Sequence, residues 1–212
     1  MNLYKCIGTG CWIWIFTGFL WGQETAFKSY AEMGLQGCQI HGDGYSGYNK
    51  AGWTYGFYLQ NTTDKAWFFK SGLQVSERGS QHNPTENNTE QYMLTLRYLD
   101  IPFLVNYKLK KSYIVSAGLT PSVLWNSNVI YNYQKFTSSQ NFNRLDLMLN
   151  LSVQKWFTRW GFELRNSNSI IPVRNYATAG NQINFGNPIA NAFNRGLYNN
   201  IMVLSVLYKI TP

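Results

Sequence analysis

The sequence has few charged residues, few histidines and few cysteines for a chain of its length. Of 212 residues, 13% are charged, two are histidine and three are cysteine. The charged share is about half of ordinary usage, so the chain lacks the ion-rich surface of a typical soluble domain. Neither His41 nor His82 has a second histidine at metal-ligand spacing. We therefore expect no metal site and no cofactor.

The basic residues exceed the acidic ones, which gives a formal net charge of +8. A nucleic-acid-binding domain clusters its Lys and Arg on one face, whereas here they are scattered along the chain. We expect no nucleic-acid partner. Aromatic residues are abundant instead, at 17% of the chain, and they are interleaved with Asn, Gln, Ser, Thr and Gly.

The N-terminal segment has the anatomy of a secretory signal peptide. One lysine precedes an apolar run of 16 residues that ends at Trp21 and is followed by Gly22. A membrane-spanning helix needs roughly 20 apolar residues, so the run is too short for an anchor. We predict a cleaved signal peptide over 1–22 and one exported domain over 23–212. Cleavage leaves Cys38 as the sole cysteine, which excludes an intramolecular disulfide.

Apolar and polar residues alternate in repeated segments of the exported domain, as expected of strands with one apolar face. In the clearest segment, Leu147, Leu149 and Leu151 oppose polar neighbours such as Asn150. We predict eight strands, over residues 30–40, 52–60, 66–79, 92–109, 112–125, 144–156, 160–168 and 197–210.

The connections between these strands alternate between short and long. Loops over 41–50, 80–91, 126–143 and 170–195 alternate with turns of a few residues. Outer-membrane barrels combine an even strand number with short periplasmic turns and long external loops, and a sheet in lipid must close to pair its edges. We predict an all-β, eight-stranded antiparallel up-and-down transmembrane β-barrel, monomeric and surrounded by outer-membrane lipid. A soluble lipocalin-like ligand binder, with its apolar faces inward, is the alternative.

The segment 92–109 is expected to bend at Pro102. Before the bend Leu94, Leu96 and Tyr98 share one face, which we expect to meet lipid, with Arg97 facing the lumen. The apolar face then changes parity, as one extra residue in a β-bulge would cause. Aromatic residues near strand ends are expected to form interfacial girdles: Trp53, Trp67, Tyr107, Trp125, Trp156, Trp160 and Tyr208.

Charged residues also occur on the polar faces of the predicted strands. The interior of an eight-stranded barrel is just wide enough to be filled by side chains, so charges there must pair. We expect a structural network of lumen charges, with a narrow solute pore as the alternative. Its predicted members are Glu32, Lys70, Arg78, Arg97, Arg144, Asp146, Glu163 and Arg165.

One short segment in the C-terminal third of the chain is a weak candidate for a catalytic group. Residues 163–169 are slightly similar to the Ser-containing segment of outer-membrane lipid A hydrolases, but they lack the histidine that would activate a serine. Only His41, in the loop after the first strand, could act on Ser167, and only if the first and seventh strands bring the two together. We predict no enzymatic activity, with a lipid-modifying enzyme as the alternative.

Five short motifs carry a family resemblance: Gly34-Leu35-Gln36-Gly37, Lys50-Ala51-Gly52, Glu77-Arg78-Gly79, Tyr98-Leu99-Asp100-Ile101-Pro102 and Ala117-Gly118-Leu119-Thr120-Pro121-Ser122-Val123. On these residues the chain resembles the PorT-like family of small outer-membrane barrels of Bacteroidota. The resemblance implies an outer-membrane barrel without enzymatic activity, and the family's namesake takes part in type IX secretion. We therefore expect a structural or adaptor component whose loops over 126–143 and 170–195 bind other outer-membrane or periplasmic proteins.

Overall fold

The computed structural model describes residues 27–45, 47–61, 63–86, 89–110, 112–136, 142–175 and 196–211. The predicted signal peptide over 1–22 lies outside these ranges. Within them, no helix is long and apolar enough to cross a membrane. The chain forms strands β1 Phe27–His41, β2 Lys50–Asn61, β3 Trp67–His82, β4 Tyr92–Asp100, β5 Phe103–Lys110, β6 Tyr113–Tyr131, β7 Gln134–Phe136, β8 Leu145–Trp156, β9 Trp160–Ser169, β10 Arg174–Asn175 and β11 Gly196–Lys209.

The strands form one closed antiparallel barrel. β1 pairs with β2 on one side and with β11 on the other, which closes the ring. β4 and β5 pair with the same two neighbours, β3 and β6, at different heights, so together they fill one position. The short strands β7 and β10 pair with the ends of β6 and β11, respectively, and add no position to the ring. The ring thus has eight positions, and the predicted all-β, eight-stranded antiparallel barrel is confirmed.

The outer wall is apolar and the interior is largely polar. On β8, Leu145, Leu149 and Leu151 are exposed, whereas the intervening Asp146 and Asn150 are buried. The same alternation runs round the ring, so the barrel presents its apolar residues outward, opposite to the soluble lipocalin-like alternative. Along β4 and β5 the outward apolar residues extend from residue 99 to residue 109. With the strand rise and tilt of such barrels, this belt is roughly 25 Å tall.

The expected orientation of β4 is wrong. Leu94, Leu96 and Tyr98 are fully buried and point into the barrel, while Arg97 points outward. Even-numbered residues point into the barrel along β4, and they continue to do so along β5, past Pro102. The irregularity lies in the neighbouring strand β6, because Arg97 pairs with Asn126 but Tyr98 pairs with Leu124. The extra residue of the bulge is therefore in β6. The bend between β4 and β5 is a break in strand pairing at Pro102, which has no backbone N–H to donate.

Two apolar clusters close the ends of the barrel interior. At the end with the long connections (the loop end), the buried cluster consists of Ile40, Leu94, Leu96, Tyr98, Phe142, Val173 and Leu197. At the end with the short turns (the turn end), Tyr30, Tyr58 and Leu104 pack together with Trp156 against them. Trp156 was expected in an interfacial girdle, and this is wrong, because its ring meets Tyr30 edge-on at 5.2 Å inside the barrel.

Two aromatic pairs on the outer wall do lie at the turn end. Trp67 and Tyr107 have ring centroids 4.4 Å apart, and Trp160 and Tyr208 are 4.7 Å apart. Trp67 and Trp160 are both exposed. Indole and phenol rings combine an apolar body with a polar tip, which suits the boundary between hydrocarbon and headgroups. These pairs fix the lower edge of the apolar belt.

Candidate functional site

A buried ion-pair cluster fills the barrel near the turn end. Arg165 lies 2.9 Å from Glu32 and 3.0 Å from Glu163, and Lys70 lies 3.5 Å from Glu163. The Arg165 guanidinium also donates to the Tyr58 hydroxyl at 3.3 Å. Two cations and two carboxylates thus balance in this cluster. The alternation of β1, β3 and β9 brings these side chains together, because each occupies an inward position of its strand.

A second buried cluster lies nearer the loop end. The Arg78 guanidinium contacts Asp100 at 2.6 Å and Asp146 at 3.2 Å. The same Asp146 oxygen accepts hydrogen bonds from Ser169 Oγ and Asn199 Nδ2, both at 2.9 Å. One cation therefore faces two carboxylates, and neutral donors from β9 and β11 supply the remaining hydrogen bonds that buried carboxylates require.

The structure places six of the eight predicted lumen charges inside the barrel: Glu32, Lys70, Arg78, Asp146, Glu163 and Arg165. The other two lie outside, and their predicted placement is corrected. Arg97 faces outward from β4, and Arg144 is exposed just before β8 begins. Sequence reasoning missed Asp100, which is fully buried beside Arg78. Asp100 lies two residues after Tyr98, so the two side chains share a face of the strand. The expected change of face within the segment 92–109 concealed this signal.

Arg97 instead belongs to an ion-pair chain at the point where the regular β2–β3 ladder ends. The β2–β3 ladder ends at the Thr54–Ser76 pair, and above it Glu77 bridges Lys50 at 3.0 Å and Arg97 at 2.9 Å. The Glu77 carbonyl lies so close to Gly52 that a Cβ there would approach it to 2.1 Å. The regular ladder thus ends here, but the two backbones stay in contact at Gly52, and side-chain ion pairs continue the connection between the strands.

Little space is left between the two buried clusters. One cavity of about 20 Å³ lies there, lined by polar side chains that include Gln74, Arg78 and Asn150. This volume holds about one water molecule. Together with the apolar clusters at both ends, the side chains fill the lumen across the described part of the barrel.

The connection between β1 and β2, at the loop end, packs against two different parts of the barrel. Tyr45 stacks on His82 at 4.8 Å and on Tyr92 at 5.2 Å, so it covers the ends of β3 and β4. Its neighbour Asp43 accepts a hydrogen bond from the Tyr45 backbone N–H at 2.9 Å. Burial raises the pKa of the Asp43 carboxyl above its ordinary value. Tyr48 packs instead on the outer wall.

The residues of the enzyme alternative are not brought together. Ser167 faces the lumen and donates to the Asn150 side chain at 2.7 Å. His41 faces outward at the end of β1 and is exposed. Among the described residues, no group of three or more His, Cys, Asp or Glu side chains could hold a metal ion. Cys38 is a free, buried thiol on β1.

A family model described as "Outer membrane protein beta-barrel domain" matches residues 16–175. Among solved structures, Neisserial surface protein A has a TM-score of 0.54 at 8% identity, with 88% of this chain and 98% of that chain covered. The attachment invasion locus protein Ail of Yersinia pestis, in complex with the heparin analogue sucrose octasulfate, has a TM-score of 0.50 at 9% identity, with 87% and 99% covered. At these identities the likeness shows the fold. No curated protein matches the sequence significantly.

Proposed function

The chain belongs to the outer membrane protein beta-barrel domain family, and from this premise we propose that it is a non-catalytic scaffold with a closed lumen. The observation that carries this proposal is the filled interior. Two ion-pair clusters occupy the lumen, and an apolar cluster covers each of its ends. Any contact that gives the protein its role then lies on the loop end or on the outer wall.

The filled interior argues against the narrow solute pore. A hydrated ion would have to displace Arg165 or Arg78 from its carboxylates. Breaking a buried ion pair in this way costs about 3–5 kcal/mol, and the apolar cluster at each end adds a barrier to hydrated solutes. The cavity of about 20 Å³ offers no resting place larger than one water molecule.

Conductance in planar lipid bilayers tests the closed lumen. We expect no unitary current steps from the purified protein across the physiological voltage range. A wide porin reconstituted in the same way is the control for insertion. Current steps that change size in an Arg78→Gln variant would contradict the proposal, because they would show that ions pass this cluster.

The adaptor role concerns the loop end. We infer that the protein is exported by a signal peptide over 1–22. We also infer that the predicted loop segments 126–143 and 170–195, which include the end of β6 and the short strands β7 and β10, bind other outer-membrane or periplasmic proteins. Residues 137–141 and 176–195 of these loops lie outside the described residues. Their support is a composition rich in Asn with aromatic residues, which suits binding loops.

Affinity purification from native outer membranes tests the adaptor role. We expect partner proteins to be recovered with the intact chain and lost when residues 176–195 are replaced by a Gly-Ser linker. A heat-resistant, folded variant that recovers the same proteins would contradict the role of this loop. The link to type IX secretion rests on the five PorT-like motifs alone. It predicts that deletion of the gene reduces secretion of type IX cargo, and unchanged secretion would remove it.

A further inference from the structure

Four amide side chains form a polar patch on the outer wall near the loop end. We call Gln39, Asn166, Asn168 and Asn200 the amide patch. All four occupy outward positions of β1, β9 and β11 and are half-buried. Gln39 pairs across strands with Asn200, and Asn200 pairs with Asn168. Three adjacent strands therefore present amides side by side to the surroundings of the barrel.

The amide patch directly adjoins the apolar belt. On β8, Leu149 lies opposite Asn168 and Leu151 lies opposite Asn166, and both leucines are exposed. Amides that face hydrocarbon without partners cost several kcal/mol each, on the order of 2–7. The patch therefore requires polar partners at the level where the belt ends, which is the headgroup level of the outer leaflet.

Contacts within the protein use only part of the hydrogen-bonding capacity of the patch. Asn168 Nδ2 donates to Asn166 Oδ1 at 2.6 Å, and the Tyr48 hydroxyl donates to Asn200 Oδ1 at 2.7 Å. Tyr48 lies flat against Gly37, where a Cβ would meet it at 3.1 Å. An amide has two donor hydrogens and an acceptor oxygen, so the Asn200 nitrogen and the Asn168 oxygen retain capacity for a ligand.

A cavity of about 310 Å³ opens beside the amide patch. Asn168 and Asn200 line it, together with His41, Ile170 and Tyr198. The Asn199 side chain faces the lumen instead, where it donates to Asp146 at 2.9 Å, so the amides that can reach a ligand here are those of the outer wall. A cavity of ligand size beside amides with unused hydrogen-bonding capacity suits a polar group that enters from outside.

We propose that the amide patch and this cavity bind the sugar headgroup of a glycolipid in the outer leaflet. Sugar hydroxyls both donate and accept hydrogen bonds, as amides do. The four patch side chains carry no formal charge, so the recognised group is the sugar and not a phosphate. The adjoining leucines would contact the acyl chains of the same molecule. The inference rests on the outer-membrane location of the barrel.

The test is native mass spectrometry of the full exported barrel in detergent, with purified lipopolysaccharide or phosphatidylethanolamine as the probe. The test variant is Asn168→Leu with Asn200→Leu. The matched control is Asn126→Leu with Asn128→Leu, because these two amides also bond to each other, at 2.9 Å, on the surface of β6 at the loop end. Both variants add two leucines to the outer wall. Retention of the heat-dependent gel shift verifies that each variant folds.

We expect the native protein and the control to retain lipopolysaccharide and the test variant to lose about tenfold in affinity, as the loss of one or two hydrogen bonds predicts. Equal retention by both variants would overturn the proposal, as would equal retention of phosphatidylethanolamine. Full competition by free core oligosaccharide would overturn the lipid source. A dimer that dissociates in the test variant would identify a second copy as the occupant. Bilayer conductance is independent of these outcomes, so failure here is distinguishable from failure of the closed lumen.

Discussion

Removal of the Arg165 side chain should destabilise the barrel strongly. Arg165 is 5% exposed and lies within 3.0 Å of both Glu32 and Glu163. In an Arg165→Leu variant, Lys70 alone remains to balance two buried carboxylates. Leaving a buried charge without its partner costs about 3–5 kcal/mol. A Glu32→Leu, Arg165→Leu double variant should recover most of this loss, because Lys70 still pairs with Glu163.

The assay is urea unfolding of the reconstituted barrel, followed by tryptophan fluorescence and by the folded band on unboiled gels. Arg97→Leu is the matched control, because Arg97 also pairs with a glutamate but is 42% exposed on the outer wall. Exposed pairs contribute about 0–1 kcal/mol. An Arg165→Leu variant that is no less stable than Arg97→Leu would refute the account of a buried, balanced cluster.

Three further predictions follow from local geometry. Gly79→Ala should unfold the barrel or lower its free energy of unfolding by well over about 2 kcal/mol, because φ is +148° and a Cβ would approach a backbone oxygen to 1.9 Å. The control Gly44→Ala has open space around it and should cost about 1 kcal/mol in the same urea assay. Bromolipid quenching should fall in Trp160→Phe and stay unchanged in Trp156→Phe, and the reverse order would place Trp156 in lipid. The raised pKa of Asp43 means that its carboxyl holds the proton more tightly in the folded loop than in the unfolded chain. The stability of the loop should therefore fall as pH rises from about 4 through the raised pKa. Asp43→Asn should remove this pH dependence in limited proteolysis, and an unchanged profile would contradict the prediction.

The alternation of residues in the sequence was sufficient to predict the barrel but not the side of the wall for every strand. An alternating residue pattern shows which side chains share a face of the strand. It does not show which of the two faces points into the barrel. On β4 either face could have been assigned to the lumen, since one carries Leu94 and Leu96 and the other carries Arg97. The general rule of apolar residues outward selected the wrong face there.

The reason is that the loop end of the lumen is sealed by apolar side chains. Leu94 and Leu96 cluster with residues from β1, from β11 and from the connections after β7 and β9, far apart in sequence. Arg97 is tolerated outside because Glu77 lies opposite it on β3, above the apolar belt. Neither partner is visible from the pattern of β4 alone, and the bulge in β6 that adjusts the register is equally hidden.

Buried charges were easier to predict where the flanking pattern was clear. Glu163 and Arg165 alternate with Phe162 and Leu164 on β9, so their inward placement follows directly from the sequence. Asp100 was missed because it sits at the end of a strand next to a proline. The amide patch was also missed, because Asn residues near strand ends look the same whether they face the lumen or the surroundings.

The most direct check on a membrane-embedded closed barrel is the mobility of the outer-membrane fraction on SDS gels, boiled against unboiled. A closed barrel with an apolar outer wall and paired charges inside should resist SDS and run at a different position until it is heated. The account predicts this shift in the membrane fraction. A protein that is recovered from the soluble periplasm and shows no shift would contradict it, because exposed residues such as Leu35 and Leu204 could not then face lipid.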